Sequence, residues 1–256
     1  MMKRLIFDED HDMFRDATRR FMQAEIEPHV ERWREQGLCD KEAFLNAGEQ
    51  GLLGMWVPEE YGGMGIEDFR FEQVVIEETV RHGDLGLFLT LHSRLVGPYI
   101  GHLGSEALKQ RLLPKVVSGE TILGVAMTEP GAGSDLAGIK SRAVQDGDDW
   151  ILNGSKTYLS NGINGGAFVV AARTVPDTRH GIGLFVVEEG MEGFQRGRNL
   201  AKMGLKTQDT AELFFENVRV PAENVLGDPE KGFYSLMHFL AEERLISACQ
   251  EVAHAQ

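Results

Sequence analysis

The sequence predicts an α+β fold with a helical N-terminal domain, a middle domain built as an antiparallel β-barrel or sandwich, and the start of a C-terminal helical domain. Apolar residues recur at helical spacing up to about residue 118. Short β-rich segments then alternate with Gly, Asn and Asp turns, and the helical spacing returns after Gly232. We therefore place the domains at residues 1–120, 121–230 and 231–256.

The first domain is expected to be helical throughout. An apolar stripe marks its first helix, and Pro28 within the stripe predicts a kink or a break. The stripe consists of Phe14, Ala17, Phe21, Ile26, Val30 and Trp33. Further helices are predicted over 41–50, from an N-cap at Asp68 to about 81, over the mostly apolar and buried segment 85–100, and from an N-cap at Ser105 to about 118.

The middle domain is expected to contain short strands separated by tight turns. Asp-Gly-Asp at 146–148 and Asn-Gly at 153–154 are turn signals. The even spacing of the segments is typical of a small antiparallel barrel or sandwich. The predicted strands are 121–127, 150–152, 156–159, 168–173, 184–187 and 213–215.

Composition excludes several classes of protein. The 256 residues carry 26 Lys and Arg against 40 Asp and Glu, a net charge of −14 that disfavours nucleic-acid binding. Two cysteines cannot form a disulfide framework and fit a reducing compartment. No apolar run approaches the ~18 residues of a membrane helix, and the first residues do not resemble a signal peptide, so we expect a cytoplasmic location.

The eight histidines form no metal-binding pattern with cysteine or glutamate, so no metal site is expected. The histidines that stand closest to the apolar helical segments are predicted to lie at the surface or at helix caps. They are His82, His92 and His102.

One loop carries the strongest functional signal. A predicted strand runs into Val-Ala-Met-Thr-Glu-Pro-Gly-Ala-Gly-Ser-Asp at 125–135. Gly131 and Gly133 allow a ligand to approach the backbone closely, and free N–H groups in such a loop can hold an anion. The loop matches neither a P-loop nor a G-x-G-x-x-G fingerprint, and an ordinary turn is the alternative interpretation.

The loop resembles the flavin-binding loop of the acyl-CoA dehydrogenases, and further motifs agree with that family in order along the whole chain. They are Gly-Gly-Met-Gly at 62–65, Asn-Gly-Ser-Lys-Thr-Tyr-Leu-Ser-Asn-Gly at 153–162, Lys-Met-Gly at 202–204, Asp-Thr-Ala-Glu-Leu at 209–213 and Asn-Val-Arg-Val-Pro at 217–221. The order of helical, β and helical segments is also that of the family.

The resemblance implies FAD as the cofactor and a role for each matching residue. The Thr128 hydroxyl would bond the pyrimidine side of the flavin, and the Ser160 hydroxyl would lie near its N5 edge. Gly133 and Ser134 would approach the pyrophosphate, with Ser134 also near the acyl-CoA. The family usually has Trp and Thr at 158 and 160. The implied cofactor-binding residues are Val125, Ala126, Met127, Thr128, Gly133, Ser134, Tyr158, Leu159 and Ser160.

The last predicted helix places a carboxylate among apolar neighbours. At 100° per residue, Glu243 falls within an apolar arc, whereas Glu242 falls at its edge. The arc consists of Leu236, Phe239, Leu240 and Ile246. A carboxylate in such surroundings needs a partner or a use, and an ion pair of Glu243 with an arginine between helices is the structural alternative.

The family resemblance implies a catalytic role for Glu243. The isovaleryl- and long-chain-type members carry their catalytic Glu on this helix, directly before an Arg, as Glu243 and Arg244 stand here. Tyr234 and Arg244 match positions that contact substrate. Ala241 stands where many members have Asp, so a polar contact is lost there.

The implied activity is α,β-dehydrogenation of acyl-CoA thioesters in fatty acid β-oxidation, with electrons passed to an electron-transferring flavoprotein. The alternatives are an acyl-CoA oxidase and a non-catalytic flavin- or acyl-CoA-binding subunit that needs a partner chain. The family's C-terminal bundle, which supports homo-oligomers such as dimers and tetramers, continues beyond the helix at which this sequence ends. We therefore expect the 256 residues alone to retain FAD weakly and to turn over poorly.

Overall fold

The computed structural model describes residues 4–256, and its N-terminal part is helical as predicted. Asp68 and Ser105 cap their helices by accepting from the N–H groups of Arg70 and Leu108, which confirms both predicted N-caps. The helices are α1 Glu9–Phe21, α2 Val30–Gln36, α3 Glu42–Glu49, α4 Phe69–His82, α5 Gly97–Leu103 and α6 Glu106–Val117.

Two predicted helices differ from the structure in detail. The first is interrupted, because a π-helical turn Met22–Ile26 and a 3-10 turn Glu27–His29 separate α1 from α2 and place Pro28 in the break. The prediction of a helix from residue 85 is wrong, since residues 83–88 are irregular. Gly86 packs so closely on Thr207 that a Cβ at this position would lie 1.9 Å from the Thr207 hydroxyl. The helical segment begins only at residue 89, and local spacing does not encode this tertiary contact.

The middle of the chain forms one eight-stranded sheet in the order β6-β7-β3-β2-β4-β5-β8, with β1 paired to β4. Most pairings are antiparallel, but β4 runs parallel to β1 and to the first residue of β2. The strands are β1 Leu123–Ala126, β2 Arg142–Asp146, β3 Asp149–Ser160, β4 Ala167–Arg173, β5 Ile182–Glu188, β6 Phe194–Arg196, β7 Thr210–Val220 and β8 Val225–Leu226.

The predicted turn at 153–154 is wrong, because the two strands expected on either side of it are the single strand β3. Gly154 adopts φ +147°, and the register against β7 shifts between Leu152 and Gly154. The Asn153 side chain accepts from Asn217 N–H at 2.9 Å, which keeps the two strands together across the irregularity. The irregularity is a β-bulge in β7, where Glu216 and Asn217 lie opposite Asn153, so Asn-Gly here faces a bulge and does not form a hairpin. The short strands β2, β6 and β8 were not predicted.

A shared hydrophobic core joins the helical segments to the sheet. One cluster of buried side chains contains Tyr99 and Leu108 from the first part, Leu184 from the sheet, and Leu236 from the final helix α7 Gly232–Ala255. The fold class predicted from the sequence is confirmed. None of the helices within residues 4–256 is long and apolar enough to cross a membrane.

Candidate active site

The loop after β1 is folded as a tight turn. Glu129 and Ala132 exchange two backbone hydrogen bonds of 2.9 and 3.1 Å, so Pro130 and Gly131 occupy the two-residue tip. Beyond the turn, Gly133 and Ser134 are exposed. Within the described part of the chain, no acceptor takes a hydrogen bond from the N–H of Gly133 or Ser134. Two adjacent free donors in an exposed loop can hold an anionic group.

The glycines of this loop are not required by the chain's own backbone. Neither Gly131 nor Gly133 has a positive φ, and a Cβ at either position would meet no atom within 4 Å. Neither backbone strain nor packing within residues 4–256 therefore accounts for these two glycines. The phosphate groups of FAD have the charge and the need for close approach that fit this cradle.

The end of β3 lies beside this loop and contains a strained residue. Thr157 N–H donates to Thr128 O at 2.9 Å, and a Cβ at Gly124 would lie 3.0 Å from Ser160 O, so residues 125–127 run alongside residues 158–159. Tyr158 has φ +60° within a second register shift, and its side chain is 71% exposed. A non-glycine residue in the left-handed region costs about 1–3 kcal/mol and occurs often at functional sites.

The structure therefore brings the predicted cofactor-binding residues together along one edge of the sheet. Ala126 and Leu159 are buried, so a ligand could reach only their backbone groups. The remaining side chains of the set are partly or fully exposed. They are Val125, Met127, Thr128, Ser134, Tyr158 and Ser160.

A buried ion pair lies beneath the loop, and sequence reasoning missed it. Lys156, which is fully buried, donates to Glu129 Oε1 at 2.8 Å and to Met127 O at 2.9 Å. Glu129 also accepts from the N–H groups of Lys140 and Ser141 at 2.6 and 2.9 Å. The sequence signal for this pair was the even spacing of Lys156 and Leu152, which places both side chains on the same buried face of a strand.

An open cavity of about 930 Å³ lies between α5, α7 and the segment around Trp56. Tyr234, a predicted substrate contact, lines it, and the Tyr234 hydroxyl lies 3.4 Å from His180 Nδ1. The other lining residues are Trp56, Glu67, Arg94, Pro98, His102, Leu103, Lys231, Ser235, His238, Phe239, Ala241 and Glu242. The cavity thus combines aromatic surface with balanced charges.

The two adjacent glutamates of α7 have different surroundings. Glu242 lines the cavity and accepts from Arg94 Nε at 2.6 Å, an ion pair that the sequence did not reveal. Glu243 is half-buried, and burial raises its pKa while Arg244 opposes the shift. Burial raises the pKa of Tyr99, and the charge of Glu243 adds to that rise.

Not every predicted substrate residue is brought into the cavity. Arg244 is exposed, and neither Arg244 nor Glu243 belongs to the cavity lining. The Glu243 environment has the apolar character that the helical arc predicts, since Leu236 and Ile246 are buried.

Histidine placement corrects one prediction. His92 is fully buried rather than at the surface, with Nε2 2.9 Å from Val116 O, and with Nδ1 accepting from Leu123 N–H at 3.0 Å. Burial lowers its pKa to about 4. His92 therefore joins the helical part to the start of β1 in its neutral form. Residues 4–256 contain no cluster of three metal-ligating side chains.

Comparison with known proteins identifies relatives along the whole chain. The acyl-CoA dehydrogenase N-terminal domain matches residues 8–120, and the middle domain of the same family matches residues 124–218. The chain is 48% identical over 248 residues to the mitochondrial long-chain specific acyl-CoA dehydrogenase of Sus scrofa, and the match covers 96% of this chain but 57% of that protein.

Two solved structures show the same fold. An acyl-CoA dehydrogenase from Geobacillus kaustophilus superposes with a TM-score of 0.95 at 47% identity, covering 98% of this chain and 67% of that one. A glutaryl-CoA dehydrogenase from Mycobacterium smegmatis, in complex with FADH2, superposes with a TM-score of 0.88 at 31% identity, covering 96% and 62%.

Proposed function

The chain belongs to the acyl-CoA dehydrogenase family, and from that premise we propose that it forms the flavin-contacting part of an FAD-dependent enzyme that desaturates acyl-CoA thioesters. The observation that carries the proposal is the exposed, left-handed Tyr158 beside the open loop at Gly133. Strained residues cluster at functional sites, and an exposed aromatic ring offers a surface on which a ligand can pack. A flavin ring packed on Tyr158 would be such a ligand.

In this proposal the loop and the end of β3 bind and orient FAD. The free N–H groups of Gly133 and Ser134 would receive the pyrophosphate, because charge-assisted bonds to backbone donors are strong. The hydroxyls of Thr128 and Ser160 would fix the edges of the flavin ring. Bound FAD would supply an acceptor for the hydride that leaves the β-carbon of the substrate.

Glu243 would be the general base that takes the α-proton of the thioester. A base for so weak an acid must itself have raised basicity, and burial raises the pKa of Glu243 as this role requires. Tyr234, at the cavity mouth, would contact the substrate.

We propose an electron-transferring flavoprotein as the acceptor of the electrons. The arrangement that supports a dehydrogenase is the Tyr158 aromatic face, which would cover the flavin and restrict the approach of oxygen. Mixing the substrate-reduced, product-bound protein with aerated buffer separates the two activities. Slow reoxidation supports a dehydrogenase, whereas rapid reoxidation with one peroxide per flavin would assign an oxidase.

The proposed function is tested first by cofactor uptake. The purified 256-residue chain is dialysed against FAD, and bound flavin is measured by its visible absorbance. We expect saturable binding and anaerobic loss of the absorbance when a long-chain acyl-CoA is added. Failure to bind FAD at any concentration would contradict the proposal, and FAD binding without bleaching would favour a non-catalytic binding subunit.

A further inference from the structure

The buried pair of Lys156 and Glu129 lies directly behind the proposed flavin loop. Lys156 reaches from the middle of β3 across to Met127 O, the last carbonyl before Thr128. Glu129 lies on the other side of Thr128 and forms the base of the tight turn. The contacts of Lys156 therefore reach both residues that flank Thr128 in the chain.

The hydrogen bond of Lys156 fixes the direction of a peptide plane. In a trans peptide the C=O and the N–H point in opposite directions. Because the Met127 C=O points inward to Lys156, the Thr128 N–H of the same peptide points outward. The next carbonyl is also held, since Thr128 O accepts from Thr157 N–H at 2.9 Å. No acceptor within residues 4–256 takes the Thr128 N–H.

Burial of the pair removes water from both charged groups, which disfavours their ionised forms. Burial lowers the pKa of Lys156 to about 8, and the charge of Glu129 opposes that shift. Burial also disfavours the ionised form of Glu129, yet Lys156 and the N–H groups of Lys140 and Ser141 outweigh it and lower its pKa. Well-packed apolar residues would often stabilise a fold as well as a buried ion pair does. A role beyond stability would account for keeping the charges here.

We propose that Lys156, oriented by Glu129, is a positioning residue for FAD that turns the Thr128 N–H toward the flavin by holding the Met127 carbonyl. This inference rests on the proposed flavin function. It differs from a structural explanation, in which the pair only balances two buried charges. The two explanations predict different FAD affinities for a variant in which both charges are removed.

The experiment compares FAD affinity with the melting temperature of the flavin-free protein. Lys156→Met removes the donor and leaves Glu129 buried and unpaired, so we expect a lower melting temperature and FAD binding weakened about tenfold or more. The double variant Lys156→Met/Glu129→Gln removes both charges while keeping the packing. We expect it to recover most of the melting temperature but to bind FAD as weakly as the single variant.

Two controls complete the set. Glu129→Gln keeps an acceptor for Lys156 and leaves the bond to Met127 O intact, so its FAD affinity should stay within about threefold of the parental value. Lys140→Met changes an exposed lysine side chain in the same loop region and should alter neither quantity.

The outcomes discriminate clearly. Recovery of both stability and FAD affinity in the double variant would overturn the proposal, as would unchanged affinity in Lys156→Met. A double variant that fails to fold would also overturn it, because the pair would then serve the fold itself. If the parental chain binds no FAD, the proposed function fails and this inference falls with it. If the parental chain binds FAD but the variants do not differ from it as expected, only the positioning role is rejected.

Discussion

Replacing Gly133 by valine tests the cofactor loop without disturbing the fold. The position is exposed, has no positive φ, and offers open space around a new Cβ. A surface substitution of this kind changes stability by about 0.5 kcal/mol or less. The isopropyl group would therefore occupy the space from which we propose that the pyrophosphate approaches.

The size of the effect follows from the two donors at this point. The free N–H groups of Gly133 and Ser134 would each make a bond to an anionic oxygen, and such a bond contributes about 1.5–3 kcal/mol. Loss of both would cost about 3–6 kcal/mol, which corresponds to a roughly 10²- to 10⁴-fold weaker Kd for FAD. The far-ultraviolet circular dichroism and the melting temperature without FAD should remain parental.

Gly204→Val is the matched control for this prediction. Gly204 is also exposed, lacks a positive φ and has no atom within 4 Å of a built Cβ, yet it lies outside the loop. Equilibrium dialysis with FAD should show parental affinity for this variant. An FAD affinity of Gly133→Val within about threefold of that of Gly204→Val would refute the assignment of the loop.

Two further predictions concern α7 and the buried titratable groups. Glu243→Gln should preserve FAD binding and slow flavin reduction by acyl-CoA about 10²- to 10⁴-fold in stopped-flow experiments. The control Glu251→Gln, at an exposed position, should leave the rate of flavin reduction unchanged. A near-parental rate in Glu243→Gln would place the base elsewhere. Burial raises the pKa of Glu72 to about 7 and lowers that of His92 to about 4, so acid stabilises the fold through Glu72 and destabilises it through His92. Between pH 7 and 5 each group changes the free energy of unfolding by about 2 kcal/mol, and the two changes have opposite signs. In urea titrations, Glu72→Gln should therefore lose stability toward pH 5 and His92→Gln should gain it, and parallel curves for the two variants would contradict the reasoning.

The place of Glu242 at the edge of the apolar arc suggests that a Glu242 variant could serve as the control for Glu243→Gln, but the contacts of Glu242 make it unsuitable. Helical spacing correctly separates the two side chains, but it cannot show that Arg94, from another element, bonds Glu242 at 2.6 Å. Removing that carboxylate would leave Arg94 without its partner. The exposed Glu251, further along the same helix, is therefore the better control.

Local spacing and turn composition predicted the strands of the middle domain only in part. Asn-Gly at 153–154 has the composition of a hairpin turn, but the side chain of Asn153 binds β7 and Gly154 relieves a close approach to Ser141. A Cβ at Gly154 would lie 2.3 Å from the Ser141 hydroxyl. Glycine here serves a contact between segments distant in sequence, and local propensity carries no record of such a contact.

Three buried polar side chains, those of His92, Lys156 and Asn161, satisfy backbone groups of β1 and of the residue that follows it, a task that the sequence did not reveal. Within residues 4–256 this strand pairs only with β4, so its other edge carries backbone groups that no strand satisfies. Side chains take their place: His92 accepts from Leu123 N–H, Asn161 donates to Leu123 O at 2.9 Å, and Lys156 donates to Met127 O. The helical part and β3 thereby fix both ends of the strand that leads into Thr128. Such a residue interrupts an apolar pattern in the sequence, and its hydrogen bonds to unpaired backbone groups at β1 become visible only in the structure.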